Sequence, residues 1–358
     1  MMETIKPHKH GGLEGLCLEN PVLDFSVNLN PLGPPEIIRR CWKELIHGIE
    51  GYPSLEGRGV NDYFEKKFQL DPEGVLAGNG STEIIYLTAR VLGVKRTLVV
   101  VPSYYDYQRA SLLAGTRVHL FPLRADEHFS PDPEALSAAL QEADALWLGH
   151  PNNPTGSLFP ENLLHELAGA YPEKWIIVDE AFMPFAENGK VRSLIRGHLE
   201  KNILVIQSLT KFYALAGLRL GAIVAHPEVI SRLRAAKEPW TVNGLAERIA
   251  PLLLRCPKYE ERTRLLVGRE RRRLLRHLSS LPGLEVYPSA ANYLLCRWKG
   301  TPGFEDLLKH LLERGIYVRD CRNFTGLEDR YFRIAVRQPG DNDRLISALS
   351  SFPGMENG

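Results

Sequence analysis

The chain predicts an α/β protein: a large, mostly parallel sheet followed by a smaller α+β lobe. Two observations carry this. From about Gly78 onward, apolar runs at 98–101, 118–121, 145–149, 175–178, 203–207 and 222–225 alternate with helical patterns, and strands alternating with helices argue for parallel strands covered on both faces. After a helical region starting near Pro227 the order changes, and helices mix with apolar runs at 284–287, 293–298, 316–319 and 331–336. A length of 358 residues suits two lobes, because single cores stop growing well below that size.

Before the alternating region the chain offers an extended piece at 22–29, a Pro31-Leu32-Gly33-Pro34-Pro35 break and a helical pattern over 36–49. Residues 1–35 read as an arm, 36–230 as the large domain and 231–358 as the small one. Gly78-Asn79-Gly80-Ser81-Thr82-Glu83 precedes the amphipathic run 84–92. Ser81 and Thr82 therefore stand at a helix N-terminus, either as an anion site or as a plain cap. The basic run Arg269-Glu270-Arg271-Arg272-Arg273 falls inside a leucine-spaced helix pattern over 262–278 and reads as a solvated face.

A formal net charge of +1 gives no global field for nucleic acid or an anionic membrane. No apolar run reaches the roughly 18 to 20 residues of a membrane span, and the N-terminus has no signal-peptide core. Cys17, Cys41, Cys256, Cys296 and Cys321 are scattered with no zinc or C-x-x-C spacing, so reduced thiols in a cytoplasm are expected and no metal is.

The segment Ser208-Leu209-Thr210-Lys211-Phe212-Tyr213-Ala214-Leu215-Ala216-Gly217-Leu218-Arg219-Leu220-Gly221 carries the chemistry. It sets Lys211 just past the end of a buried apolar run, where parallel sheets place their sites. Ser208, Lys211 and Arg219 then bring a hydroxyl, an amine and a guanidinium into one small volume. An amine attacks a carbonyl only after losing its proton, so desolvation beside another cation is what that chemistry wants. Alone, Ser-x-x-Lys is equally a surface lysine in a loop. Pro151-Asn152-Asn153-Pro154-Thr155-Gly156 is a loop of turn formers, and Trp175-Ile176-Ile177-Val178-Asp179-Glu180-Ala181-Phe182 ends an apolar strand in two acids.

On these motifs the chain resembles, nearly end to end, the fold-type-I pyridoxal-5′-phosphate (PLP) enzymes of the aminotransferase superfamily. The resemblance implies an aspartate-aminotransferase-like fold with a seven-stranded sheet and PLP as cofactor. It implies that Lys211 and Asp179 are catalytic, the lysine holding the cofactor aldehyde and the aspartate its pyridine nitrogen. Gly80, Ser81, Thr82, Ser208 and Arg219 would cradle the phosphate, Asn153 would donate to the 3′-oxygen, and Tyr104 would stack on the ring. Tyr52, in Gly51-Tyr52-Pro53-Ser54, matches a tyrosine that reaches the neighbouring subunit's cofactor, which implies a homodimer with shared sites. Phe182 departs from the pattern, since many aminotransferases carry a tyrosine there.

Within the superfamily the chain is similar to histidinol-phosphate aminotransferases and to the L-threonine-O-3-phosphate decarboxylases of cobalamin biosynthesis. His10-Gly11-Gly12, Asp24-Phe25-Ser26-Val27-Asn28-Leu29-Asn30-Pro31, Val318-Arg319-Asp320-Cys321-Arg322 and Arg333-Ile334-Ala335-Val336-Arg337 favour the second. That implies loss of carbon dioxide from L-threonine O-3-phosphate to give (R)-1-amino-2-propanol O-2-phosphate. Arg333, Arg337, Arg322, His10 and Asn30 would bind the substrate's anionic groups. The alternatives are a 2-oxoglutarate-dependent aminotransferase, an O-phospho-L-serine decarboxylase, and a ligand sensor without catalysis. The sequence assigns no role to His150 or Asp106.

Overall fold

Residues 11–13, 21–187 and 193–355 are described by a computed structural model; His10 and Cys17 lie outside them. The arm contributes one short strand, β1 (Leu23–Asp24). The helix expected over 36–49 breaks into α1 (Glu36–Arg40), α2 (Trp42–Leu45) and a 3₁₀ turn over Ile46–Ile49. α3 (Arg58–Phe68) then leads into the large sheet.

That sheet alternates β2 (Val75–Asn79), α4 (Gly80–Leu92), β3 (Arg96–Val101), α5 (Asp106–Leu113), β4 (Arg117–Pro122), α6 (Pro133–Gln141), β5 (Ala145–Gly149), α7 (Glu161–Ala170), β6 (Trp175–Asp179), β7 (Ile203–Ser208) and β8 (Leu220–Val224). It has seven strands in the order β2-β8-β7-β6-β5-β3-β4. Alternation places Ile203 and Val205 of β7 in one core layer and Leu204 and Ile206 in the other, so a strand covered on both faces reads as one apolar run. The neighbours are parallel except at β8, which runs antiparallel to β7 and β2. The β7–β8 connection, residues 209–219, is shorter than the dozen or so residues of a parallel crossover, so the chain must reverse. Lys211 sits in that reversal. The run at 75–79 escaped the sequence reading because only Val75, Leu76 and Ala77 are apolar before Gly78 and Asn79.

The remainder comprises α8 (Pro227–Ala236), α9 (Gly244–Leu253), the long α10 (Pro257–Ser279), β9 (Leu284–Val286), β10 (Tyr293–Trp298), α11 (Phe304–Glu313), β11 (Ile316–Tyr317), β12 (Arg319–Asp320), β13 (Tyr331–Ala335) and α12 (Pro339–Ser350). An antiparallel sheet runs β12-β13-β10-β9. The strand expected over 316–319 divides because its halves have different partners: β11 pairs in parallel with β1 of the arm, and β12 pairs with β13. The basic run on α10 is not the wholly solvated face expected. Glu270 and Arg271 are buried, and Arg271 donates to Ala290 O and Ala291 O, each at 3.0 Å, while pairing with Glu187 at 3.2 Å. No helix among the described residues is long and apolar enough to cross a membrane.

α3 and α9 touch at Gly59, where a Cβ would lie 2.0 Å from Glu247 O. Gly59→Ala should therefore destabilise the fold by about 1–3 kcal/mol through overpacking. Gly169→Ala, in α7 with nothing within 4 Å, should be neutral or stabilise by up to about 1 kcal/mol. Denaturant unfolding of the two variants checks the pair, and equal midpoints would refute the close approach.

Candidate active site

The site forms where β6, β7 and the start of α4 end or begin beside one another. Gly80 opens α4 at φ +75°, and a Cβ there would come 2.7 Å from Arg219 Nη2. A Cβ on Gly221 would stand 2.6 Å from the backbone nitrogen of Ser81. Only glycines allow the α4 N-terminus, Arg219 and the start of β8 to close this far. The first-turn N–H groups of α4 have no partners within the helix, so together with the Arg219 guanidinium they form an anion cradle. Arg219 sits in the left-handed region at φ 56°, and its Nη1 reaches Ala216 O at 3.4 Å. The Ser208 and Thr210 hydroxyls share a hydrogen bond beside it.

Lys211 is pushed down to about 8, first by burial, then by the Arg219 charge, with Arg333 adding and Asp179 opposing. The carboxylate of Asp179 is buried at the end of β6, where it accepts from Tyr107 Oη at 2.8 Å and from the backbone N–H of Ala181 at 2.9 Å. Burial raises its pKa, against the hydrogen bonds and the Lys211 charge. The neighbouring acid turns away: Glu180 accepts from Leu194 N at 2.9 Å and Gln207 Nε2 at 2.6 Å, and burial lifts it to about 7. Sequence reasoning missed Tyr107. The available signal was its spacing of three residues from Tyr104 at the start of α5.

Tyr104 meets Tyr107 edge to face at 5.7 Å and lies within hydrogen-bonding reach of Thr82 and Asp106, which places it over the cradle. Asp106 also accepts from Tyr86 Oη at 2.7 Å, so it supports this wall. Phe182 is buried edge-on to Tyr293 at 4.9 Å, and the Tyr293 hydroxyl donates to Asn152 O at 2.8 Å. His150 is buried: its Nδ1 accepts from Phe159 N at 3.1 Å, its Nε2 has no partner among the described residues, and burial pushes it down to about 4.

The opposite wall comes from the small sheet. Arg333 is buried over the Tyr293 ring and donates to Asn153 Oδ1 and to Ser26 O, the latter at 2.8 Å. With its amide oxygen turned inward, Asn28 accepts from the same guanidinium at 3.1 and 3.3 Å. These partners are all neutral, and burial lowers Arg333 to about 10. Directly across the β12–β13 register lies Arg319, also buried and lowered by burial. Arg319 and Asn28 were not among the residues expected from sequence.

Several expected residues are elsewhere. Arg322 is out of phase with Arg319 and spends its fork on Asp320, at 2.6–3.1 Å, and on Glu305 at the surface. Arg337 falls beyond the end of β13 and pairs with Asp341 at 2.9 Å and with Asp24 O at 3.0 Å. Asn30 directs its amide at Phe212 O and Thr263 Oγ1, 2.6 and 2.8 Å away. Tyr52 is 88% exposed and packs beside Trp240 at 5.3 Å, on the outside of this chain's site.

Known proteins share this arrangement. The family model described as aminotransferase class I and II matches residues 20–349. A threonine-phosphate decarboxylase of Salmonella typhimurium is 36% identical, covering 92% of this chain and 90% of that protein. Among solved structures, the L-threonine-O-3-phosphate decarboxylase of Porphyromonas gingivalis superposes with a TM-score of 0.82 at 28% identity, over 92% of this chain and 98% of that one. The histidinol-phosphate aminotransferase of Clostridium acetobutylicum gives 0.85 at 32%, with the same coverage. With a family model matched over 20–349 and a 36% identical relative covered over 90% of its length, the chain that buries Lys211 and Asp179 in one pocket belongs to the class I and II aminotransferase family.

Proposed function

We propose that the protein is a PLP-dependent decarboxylase of L-threonine O-3-phosphate, forming (R)-1-amino-2-propanol O-2-phosphate for the nucleotide-loop linker of cobalamin. The carrying observation is the side-by-side burial of Arg319 and Arg333. Arg319 donates to Asn323 Oδ1 at 2.8 Å and Arg333 to Ser26 O at 2.8 Å, and two guanidiniums facing one another across the register favour an anion beside them. A substrate with both a phosphate and a carboxylate supplies that charge in one molecule; the dicarboxylate 2-oxoglutarate of an aminotransferase would supply it too, so release of carbon dioxide decides between the two reactions.

The residues fit the cofactor. The glycine-lined α4 N-terminus with Ser81, Thr82, Ser208 and Arg219 suits its phosphate, Tyr104 its ring face, Asn153 its 3′-oxygen and Asp179 its ring nitrogen. When bound, PLP supplies an aldehyde for the lysine and a protonated ring that accepts the electrons of a breaking bond. Asp179, held by Tyr107 and Ala181, keeps the ring nitrogen's proton in place. Asn153 touches both sides of the site, since its amide oxygen is taken by Arg333. Arg319 and Arg333 fix the substrate's anions and so select which bond at Cα stands perpendicular to the ring. Lys211, lowered to about 8 and so still largely protonated at neutral pH, is placed to deliver from its ammonium form the proton that replaces the lost carboxylate, and is left as the amine.

We further propose a cytoplasmic homodimer. Trp42, Ile46, Ile49, Tyr52, Leu55 and Trp240 are exposed apolar residues on one stretch of the large domain and its neighbour, an area of the kind that partners cover. The free thiols of Cys41, Cys256, Cys296 and Cys321 suit a reducing compartment.

Purified protein with PLP and no keto acid should release carbon dioxide from O-phospho-L-threonine, and Lys211→Ala should not. In the same assay Arg319→Met should raise KM by about 10- to 100-fold, the worth of a charged hydrogen bond, while Arg322→Met should change it less than about threefold. Glutamate formed from histidinol phosphate and 2-oxoglutarate, with no carbon dioxide, would establish the aminotransferase instead. Faster turnover of O-phospho-L-serine would reassign the substrate.

The amine reacts with the cofactor only when neutral, so uptake of PLP by the apoprotein should quicken with pH up to about 8 and then level off. Arg219→Leu removes a charge that lowers Lys211, so its plateau should move to higher pH. A wild-type rate still climbing toward the ordinary 10.5 would refute the depressed lysine. Sedimentation velocity should show a dimer, and a 40.3 kDa monomer at working concentration would overturn the shared site.

A further inference from the structure

Behind Lys211 lies a set of contacts that the chemistry above does not use. Lys211 O accepts from the backbone N–H of Asn30 at 3.0 Å. Phe212 O accepts from Asn30 Nδ2 at 2.6 Å and lies 3.3 Å from the Tyr259 hydroxyl. Tyr213 Oη donates to Glu260 Oε1 at 2.7 Å, with Tyr63 Oη 2.9 Å away. Three successive residues of the lysine loop are thus pinned, each by its own hydrogen bond, to the arm or to α10.

The two anchors are themselves fixed. Asn30 uses its whole amide inward, donating also to Thr263 Oγ1 of α10 at 2.8 Å and accepting from Leu32 N at 3.0 Å. Glu260 is buried, with Lys67 Nζ on its two oxygens at 2.7 and 2.8 Å and Arg264 at 3.6 Å. The Tyr213 ring stacks on Tyr259 at 5.9 Å and 15°. Burial, with Tyr63 and Glu260 nearby, keeps the Tyr213 hydroxyl protonated and so a donor. The loop needs such pins, because it backs onto a cleft of about 460 Å³ whose walls include Tyr63, Lys67, Phe212, Tyr213, Glu260 and Arg264. A loop beside open space receives no restraint from packing on that side.

We propose that Asn30 and Glu260 are positioning residues for Lys211, clamping residues 211–213 between the arm and α10 so that the amine meets the cofactor at a fixed distance and angle. Neither touches cofactor or substrate. The inference rests on Lys211 as the cofactor lysine. It also gives Asn30 a different task from the substrate donor expected from sequence.

The test uses the holoenzyme with Asn30→Ala, which removes the side-chain bonds to Phe212 O and Thr263 Oγ1 but keeps the backbone bond to Lys211 O, and with the milder Tyr213→Phe, which removes the hydroxyl on Glu260 and keeps the stacked ring. Displacement of a reacting group by about an ångström costs up to about 100-fold in rate. Asn30→Ala and Tyr213→Phe should therefore lower kcat by about 10- to 100-fold with KM within about threefold. Both should also shift the pH midpoint of the bound cofactor's visible absorbance, a readout that needs no substrate. Unchanged kcat and midpoint in folded Tyr213→Phe would overturn the clamp. A raised KM with kcat retained in Asn30→Ala would return Asn30 to the substrate. Borohydride fixation followed by peptide mapping separates the two readings: cofactor trapped on a residue other than Lys211 overturns both, whereas trapping on Lys211 with unaltered variants overturns the clamp alone.

Discussion

Several positive charges gathered in one buried pocket are the constraint on which this structure turns. Lys211 feels Arg219 and Arg333 and has only Asp179 in opposition. Arg319 lies across the register from Arg333. Such a cluster persists in a folded protein only if the backbone over-determines it, because each desolvated cation costs several kcal/mol. Here the over-determination is visible. Arg219 is trapped by glycines that leave no room for a Cβ, Arg333 is held by the Asn153 side chain and the Ser26 carbonyl, and the lysine loop is tied to α10.

The inner strands β3 and β5 to β8 were legible in the sequence because they are buried on both faces and so appear as apolar runs, whereas the edge strand β4 is largely exposed and was read from Val118, Leu120 and Phe121. Asp179 and Lys211 were legible for a related reason, since the first is the polar residue at which such a run stops and the second follows three residues past the end of another. The small sheet was read less well. Arg319 and Arg322 sit in one short segment, and only the register of β12 against β13 decides which faces Arg333. A one-residue slip exchanges the two faces of a strand, and two-residue strands carry no periodicity from which to read the phase. Asn28 and Asn30 posed the same problem in the arm, where the chain is too irregular for alternation to assign faces.

Arg271 and Tyr107 illustrate another limit. A cation inside a basic run and a tyrosine in a helix look alike whether solvated or buried, and their partners come from distant parts of the chain. Ala290 and Ala291 receive the guanidinium, and Asp179 receives the phenol. No local pattern encodes these pairs. They follow from where α10 crosses the end of the large sheet and where α5 leaves β3.

The parallel pairing of β1 with β11 joins Leu23 to Ile316, near opposite ends of the chain. On a ribosome the two halves of the site would consequently mature at different times. This chain's residues proposed for the cofactor's phosphate have emerged once Gly221 is clear of the exit tunnel, whereas Arg319 and Arg333 arrive about a hundred residues later, or roughly 5 to 20 seconds at typical rates of synthesis. During that interval the nascent chain owns a cradle without a grip, and the arm waits beside the growing sheet for the strand that will hold it.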